Sequence, residues 1–360
     1  MVYNKIVDED VLQIIKENKK LQELDNCTVM ITGATGMLGS YFLYTLVKLN
    51  EELGKNITIV PVMRNINKLD PELLKKDFIK PVIGDVTEPI NYSGNVDYII
   101  HAASPASPKI MKDHPVETNF ANTLGTANTL KLAKDKNVKG YLYISSREIY
   151  GQPNPGQKYF TEDGPLGQVN PLVPRNGYAE GKKAAENMCS GFREEYGVPT
   201  FIGRLAHTYG PGMSIDDGRV QADFLKDVVN NRDIVMKSEG LSVRTYTYVA
   251  DAVSALYKIL LEGRDMVYNV ADERNETSIK ELAETLTSIY PEKGLKVVID
   301  IPEESKSNKK GEASFTEGIL STEKIRNELG WNARYSIKDG FARTLEYLNL
   351  ELEKKHKMSK

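Results

Sequence analysis

The stretch Cys27–Ser40, CTVMITGATGMLGS, decides how the rest of this chain is read. Its first half is an unbroken apolar run of strand length, and its second half places Gly33, Gly36 and Gly39 at three-residue intervals before a helical pattern begins. A glycine-rich turn between a strand and a helix lets backbone N–H groups and the helix N-terminus receive a pyrophosphate, because glycine permits both the tight turn and the close approach. The expected dinucleotide-binding residues of this turn are Gly33, Thr35, Gly36, Met37, Leu38 and Gly39.

Outward from that turn, apolar strands alternate with amphipathic segments: NITIVPVM, DPELLKKDF, FIKPVIGDV, VDYIIHAAS, a helix from about Val116, and GYLYISS. Alternation of this kind predicts βαβ units, hence a doubly wound parallel sheet of α/β class whose ligands bind beyond the carboxyl ends of the strands. After about Leu205 the rhythm turns irregular, with loop-rich stretches at YGPGMSIDDGR and IPEESKSNKKGEASF. Between them VRTYTYVADAVSALYKILL and MVYNVAD read as a return toward the sheet. The expected organisation is a helical extension over 1–26, a dinucleotide-binding domain over 27–204 with a return segment at about 243–272, a smaller C-terminal α/β substrate-binding domain from 205–242 and 273–350, and a charged tail over 351–360. In the extension, Val11, Ile14, Ile15, Leu21 and Leu24 fall near helical spacing and predict a short helix docked on the body or on a second subunit. His356 in the tail is expected to be solvated.

The 360 residues suffice for one large or two smaller domains, and 40% hydrophobic with 27% charged residues is ordinary for a soluble globular protein. A net charge of −3 gives no electrostatic reason to expect nucleic acid or an anionic membrane as partner. Cys27 and Cys189 cannot make a disulfide framework, and two cysteines with four histidines leave no cluster at metal-ligand spacing. No apolar run reaches the ~18 residues of a membrane span, and the N-terminus has no secretory pattern, so a reducing cytoplasm is expected.

Tyr178 and Lys182 are the expected chemical centre. Residues four apart share a helix face, so an ammonium beside the phenol would favour its ionised form and fit it for proton transfer. Spacing alone is weak, since Tyr44 and Lys48 repeat it inside an ordinary amphipathic helix. Cofactor choice is read from the end of the second strand, where NAD sites carry an acid that binds the ribose hydroxyls. Here ITIVPVM is followed by Arg64 and Asn65, and a guanidinium suits a 2′-phosphate better than a diol, so NADP(H) is favoured over NAD(H).

TGATGMLGS, GDV at Gly84–Val86, HAAS at His101–Ser104, YISSREIYG at Tyr143–Gly151, Tyr178 with Lys182, and LGW at Leu329–Trp331 together resemble the extended short-chain dehydrogenase/reductases that modify nucleotide sugars. HAASPASP, VNPLVPRNGYAEGKKAAE, TYGPGMSIDDGRV and VRTYTYV are similar to the UDP-glucuronate decarboxylases of that family. The resemblance implies that Ser146 hydrogen-bonds the reacting oxygen, that Tyr178 exchanges its proton, and that Lys182 holds the nicotinamide ribose. It also implies that Asp85 and Val86 flank the adenine, that Ala102, Ala103 and Ser104 line the nicotinamide end with Asn122 nearby, and that Arg219 and Arg244 bind the substrate diphosphate. Relatives dimerise through the tyrosine helix, and the small and apolar residues of GKKAAENMCSGF are compatible with a homodimer.

Two departures bear on the reaction. Sugar dehydratases carry Asp-Glu after the serine and the decarboxylases Ser-Glu, whereas this chain has Arg147 and Glu148; an arginine stays protonated and cannot serve as a general acid, which argues against a dehydratase. Arg147 either binds a substrate carboxylate or points away from the site, and Glu148 is either a second base or the partner of a cation. His207 stands where the decarboxylases have asparagine, to recognise sugar or phosphate or to support the core, and Arg175 matches the segment that lines the sugar pocket. The favoured expectation is an NADPH-dependent reductase of a nucleotide-linked keto-sugar or ketose; the alternatives are a decarboxylase or 4-epimerase that recycles bound NAD, and a non-catalytic cofactor sensor.

Overall fold

A computed structural model describes residues 1–167, 169–301 and 318–358. All but the first residue of the expected loop IPEESKSNKKGEASF, and the side chain of His356, lie outside the described residues.

Strands β1 (Thr28–Thr32), β2 (Thr58–Met63), β3 (Val82–Ile83), β4 (Tyr98–His101) and β5 (Gly140–Ser146) are followed by the short β6 (Tyr159–Phe160) and by β7 (Thr200–Leu205). Later come β8 (His207–Tyr209), β9 (Ile234–Met236), β10 (Val243–Tyr248), β11 (Val267–Val270), β12 (Glu276–Ser278), β13 (Val297–Ile299) and β14 (Ile319–Leu320). The seven-stranded sheet has the order β11-β7-β5-β4-β1-β2-β3, parallel throughout. Its order reverses between β1 and β4, and the crevice beyond the carboxyl ends of these two strands is where such a sheet receives its ligand. Of the late segments, β11 joins the edge of this sheet beside β7, whereas β10 pairs with β8 and β12 in a separate three-stranded sheet.

Alternation along β1 sends Val29 and Ile31 into the core on one face and Met30 into the core on the other. Helices cover both faces, so the strands are apolar without a break. The helices Met37–Leu53 and Val249–Glu262 fill one side with Phe42, Leu46, Val253 and Leu256, while Pro115–Lys136 and Gly177–Tyr196 close the other with Leu130, Ala133, Ala185 and Cys189. Fully burying a side chain of the Val or Leu kind contributes about 1.5–3 kcal/mol.

The helix Lys5–Glu17 docks on the body of the molecule and buries Val11 and Ile14, with Leu21 and Leu24 following in a tight turn. Its Asp10 is fully buried and accepts hydrogen bonds from Tyr41, Tyr248, Tyr335 and Arg343. The last helix, Ile337–Met358, runs on into the stretch expected to fray. Tyr44 and Lys48, the pair with the catalytic spacing, have structural roles: Tyr44 is buried in the core, and Lys48 pairs with Asp8 and Glu52.

Candidate active site

A cleft of about 890 Å³ opens over the carboxyl ends of β1, β4 and β5. Its floor is the glycine turn. Gly33 has φ +68°, and a Cβ there would lie 2.9 Å from the Ala103 Cα; a Cβ on Gly39 would meet the Gly33 carbonyl oxygen at 2.1 Å. These contacts require glycine, and they bring β1, β4 and the helix Met37–Leu53 close enough to form a cradle. Gly36 is the N-cap of that helix and provides no side-chain cap, so the first-turn N–H groups of Met37, Leu38 and Gly39 are left for an incoming anion. This donor set fits the pyrophosphate of a dinucleotide.

Around the cradle, the Ala103 N–H donates to Thr32 Oγ1 at 3.3 Å, and Ser104 Oγ donates to Asn122 Oδ1 at 2.8 Å. Buried Asn122 in turn donates to the Thr118 carbonyl, so its amide is fixed from both ends. Asp85 turns its carboxylate to the Thr87 N–H and hydroxyl at 3.0 and 2.9 Å, and the Val86 carbonyl accepts from Asn128. Ala102 and Ser104 line the cleft itself, while Thr35, Arg64, Asn65, Asp85, Val86, Ala103 and Asn122 stand outside its immediate wall.

The expectation of NADP(H) finds no support in this geometry. The Arg64 side chain is 80% exposed, and its guanidinium stands 3.8 Å from the Asp85 carboxylate. Asn65 spends its side-chain oxygen on capping the next turn through the Asn67 N–H.

The reacting end is built by β5 and the helix Gly177–Tyr196. Ser146, the last residue of β5, accepts from the Glu148 N–H at 3.2 Å, capping the turn Arg147–Tyr150, and its hydroxyl is also hydrogen-bonded to the Tyr178 phenol. It therefore combines a structural and a chemical contact. Lys182 is 3% exposed; its ammonium donates to the Ile144 carbonyl at 2.6 Å and lies 5.7 Å from the centre of the Tyr178 ring.

This geometry corrects the expected electrostatics. Burial and then the Glu148 charge push the Tyr178 phenol up to about 12, against the hydrogen bond from Ser146 and the charges of Arg219 and Arg175. Lys182 is itself shifted, pulled down to about 7 by burial while Glu186 opposes the shift. Desolvation thus outweighs the helix-face proximity that the sequence suggested. The protein alone therefore keeps the Tyr178 phenol protonated near pH 7.

The far wall is cationic. Arg147, Arg175, Arg219 and Arg244 all line the cleft, with Glu148 and Asp217 as the carboxylates among the described residues there. Arg147 follows Ser146 directly and contributes to the cleft lining, with its Nε buried. Glu148 is held by Arg175 through two contacts of 3.1 and 3.2 Å. Arg219 donates to the Ala106 carbonyl at 2.6 Å and stands 3.6 Å from Asp217, and Ser107 donates to the Asp217 carbonyl, so the loop before helix Val220–Val229 is laced to the loop after β4. His207 also faces the cleft, its ring 5.9 Å from that of Tyr246.

Two residues without a sequence assignment stand directly behind the centre: half-buried Glu186, one turn after Lys182, and buried Arg204 on β7, 2.7 Å apart. An acid four residues after the lysine was the available signal. Among the described residues no group of three or more His, Cys, Asp or Glu side chains could hold a metal ion, and no helix is long and apolar enough to cross a membrane.

Residues 29–271 match the model of the NAD dependent epimerase/dehydratase family. UDP-glucuronic acid decarboxylase 3 of Arabidopsis thaliana is 32% identical over 334 residues, which cover 91% of this chain and 90% of that protein. Among solved structures, UDP-glucose 4-epimerase of Thermotoga maritima, crystallised with UDP-glucose, superposes with a TM-score of 0.74 at 21% identity, covering 90% of this chain and 99% of the other. UDP-glucuronic acid 4-epimerase of Bacillus cereus, in complex with UDP-glucuronic acid and NAD, gives a TM-score of 0.71 at 19% identity, over 90% of this chain and 99% of the other. A nucleotide-sugar-modifying enzyme of short-chain dehydrogenase/reductase type, this chain belongs to the NAD dependent epimerase/dehydratase family.

Proposed function

We propose that this enzyme decarboxylates a nucleotide-linked uronic acid of the UDP-glucuronate type, with NAD retained and returned to its starting state in each cycle. The supporting observation is the charge of the cleft lining: among the described residues it includes four arginines and Lys182 against two carboxylates, in a chain whose net charge is −3. A substrate with a diphosphate at one end and a carboxylate at the other complements that wall, and planar guanidinium forks suit both groups. Likeness to the decarboxylases over most of the chain points the same way.

Bound NAD would supply the hydride acceptor at the sugar C4–H and a positive charge beside the phenol. Tyr178 takes the C4 hydroxyl proton as the carbonyl forms and returns it at the end, while Ser146 donates to the oxygen on which charge changes. A ketone at C4 makes the C6 carboxylate that of a β-keto acid, so the C5–C6 bond breaks with loss of carbon dioxide and the electron pair moves into an enolate; a proton taken from solvent at C5 restores the ketone before C4 is reduced again. No hydroxyl leaves, so no acid is needed where Arg147 stands. Arg147 and Arg175 hold the carboxylate before it departs; Arg219 and Arg244 take the diphosphate.

NAD is the proposed cofactor, because Arg64 already faces a carboxylate and a redox-neutral cycle consumes no reductant. We also propose a homodimer. Val116, Phe120 and Leu124 form an exposed apolar stripe at four-residue spacing on the helix Pro115–Lys136, which packs beside the tyrosine helix.

Purified protein given UDP-glucuronate and NAD+ is expected to release carbon dioxide and a UDP-pentose without net cofactor turnover, and Tyr178→Phe to abolish both. Recovery of a C4 epimer that keeps its carboxylate would replace the reading with epimerisation, and stoichiometric NADPH oxidation by a keto-sugar would replace it with reduction.

A further inference from the structure

Glu186 lies one helical turn beyond Lys182, on the same face of the tyrosine helix. Its carboxylate accepts from Ser145 Oγ at 2.5 Å, from Arg204 Nε at 3.1 and 3.2 Å, and from Arg204 Nη2 at 2.7 Å. Ser145 and Arg204 are register partners on adjacent strands β5 and β7, so the sheet delivers both to the helix at one point. Ser145 also immediately precedes Ser146. Arg204 continues the chain of contacts, donating to the Tyr150 hydroxyl at 2.7 Å and the Glu162 carbonyl at 3.0 Å, and Tyr150 donates to Asn269 at 2.8 Å.

The side chains of Arg204 and Glu186 are only 9% and 11% exposed. Withdrawing two charges from water costs about as much as their attraction returns, so a buried pair is poorly explained as a source of stability alone. What the pair does have is position. The pair joins β7 to the helix that carries Tyr178 and Lys182, and through Ser145 the same carboxylate also ties in the strand that ends in Ser146.

We propose that Glu186, held by Ser145 and Arg204, is a positioning residue that sets the spacing of Ser146 and Tyr178 and, one helical turn from Lys182, supplies a counter-charge that favours its ammonium form. The titratable groups around Lys182 are Tyr143 on β5, whose ring centre is 4.8 Å from the ammonium, His101 on β4, and Tyr178, Glu186 and Cys189 on its own helix. Burial raises the two phenols and the Cys189 thiol and lowers His101, which leaves all four neutral near pH 7. Glu186 then provides the negative charge of the set. The proposal rests on the tyrosine–lysine chemistry of the family, whichever nucleotide sugar is turned over.

The test reads Lys182 directly. Protein labelled with 13Cε-lysine, with the Lys182 signal assigned by its loss in Lys182→Met, is titrated with and without NAD+ as wild type, Glu186→Gln, Glu186→Asp and Arg204→Gln. Glu186→Gln is expected to lower the midpoint by about one pH unit, as loss of a close opposite charge does. Glu186→Asp should keep it, and Arg204→Gln, which removes the cation beside Glu186, should raise it. The Glu186→Gln kcat should recover toward lower pH at unchanged KM. Should Glu186→Gln not fold, Arg204→Gln carries the test alone. A midpoint that stays fixed in every folded charge-removing variant overturns the proposal and leaves the pair as packing.

Discussion

Glu148 and Arg175 form a two-pronged ion pair at 3.1 and 3.2 Å, 27 residues apart in sequence, at the edge of the cleft that holds Tyr178. The Glu148 charge raises the phenol and the Arg175 charge lowers it, so the pair bears on the Tyr178 phenol as well as on the wall around it.

Arg175→Met is expected to weaken binding of a uronate substrate roughly ten- to a hundred-fold, since a hydrogen bond to a charged group contributes about 1.5–3 kcal/mol. Binding of the corresponding neutral hexose nucleotide should change much less. Parallel calorimetric titrations of the two nucleotides measure the difference.

Gly39→Ala places a methyl group 2.1 Å from the Gly33 carbonyl oxygen, and backbone on both sides must move to accommodate it. NAD+ affinity should fall by at least about tenfold as the pyrophosphate cradle opens, on the principle that each 1.4 kcal/mol is a factor of ten. Thermal melting with and without NAD+ would show a reduced cofactor-induced rise.

His101 is buried with its Nδ1 2.8 Å from Thr32 Oγ1, and burial, with a smaller contribution from Lys182, depresses its pKa from 6.5 to about 3. A folded state that refuses a proton the unfolded chain accepts loses stability as pH falls from the unfolded pKa toward the folded one. The expectation is therefore a decline in melting temperature between about pH 6.5 and 3 that His101→Gln reduces. Calorimetry across that window on both proteins would reveal it.

Phe120 is 49% exposed in the middle of the Val116–Leu124 stripe. Phe120→Glu should convert a dimer to a monomer with the helix content unchanged. Sedimentation velocity resolves the two species.

The glycine turn was legible in the sequence because strand, turn and helix are contiguous, and the requirement for glycine at Gly33 and Gly39 is local. Ser146 and Tyr178 were legible through the resemblance, although 32 residues separate them, since parallel strand order returns both to one end of the sheet. Electrostatics were not. The Tyr178–Lys182 spacing gave proximity but not burial, and burial decided the direction of both shifts. For Arg64, residue type suggested a phosphate ligand, whereas the rotamer places it beside Asp85. Glu186 and Arg204 escaped notice because their meeting depends on the register of β5 with β7, which no local pattern records.

Asp10 accepts its hydrogen bonds from Arg343 across 333 residues of sequence. During synthesis the first helix leaves the ribosome long before its cation exists, so the carboxylate that is finally sealed among Tyr41, Tyr248 and Tyr335 must wait in solvent until the last helix has been made. Arrival of the helix that carries Arg343, rather than completion of the sheet, is the event that locks this end of the molecule.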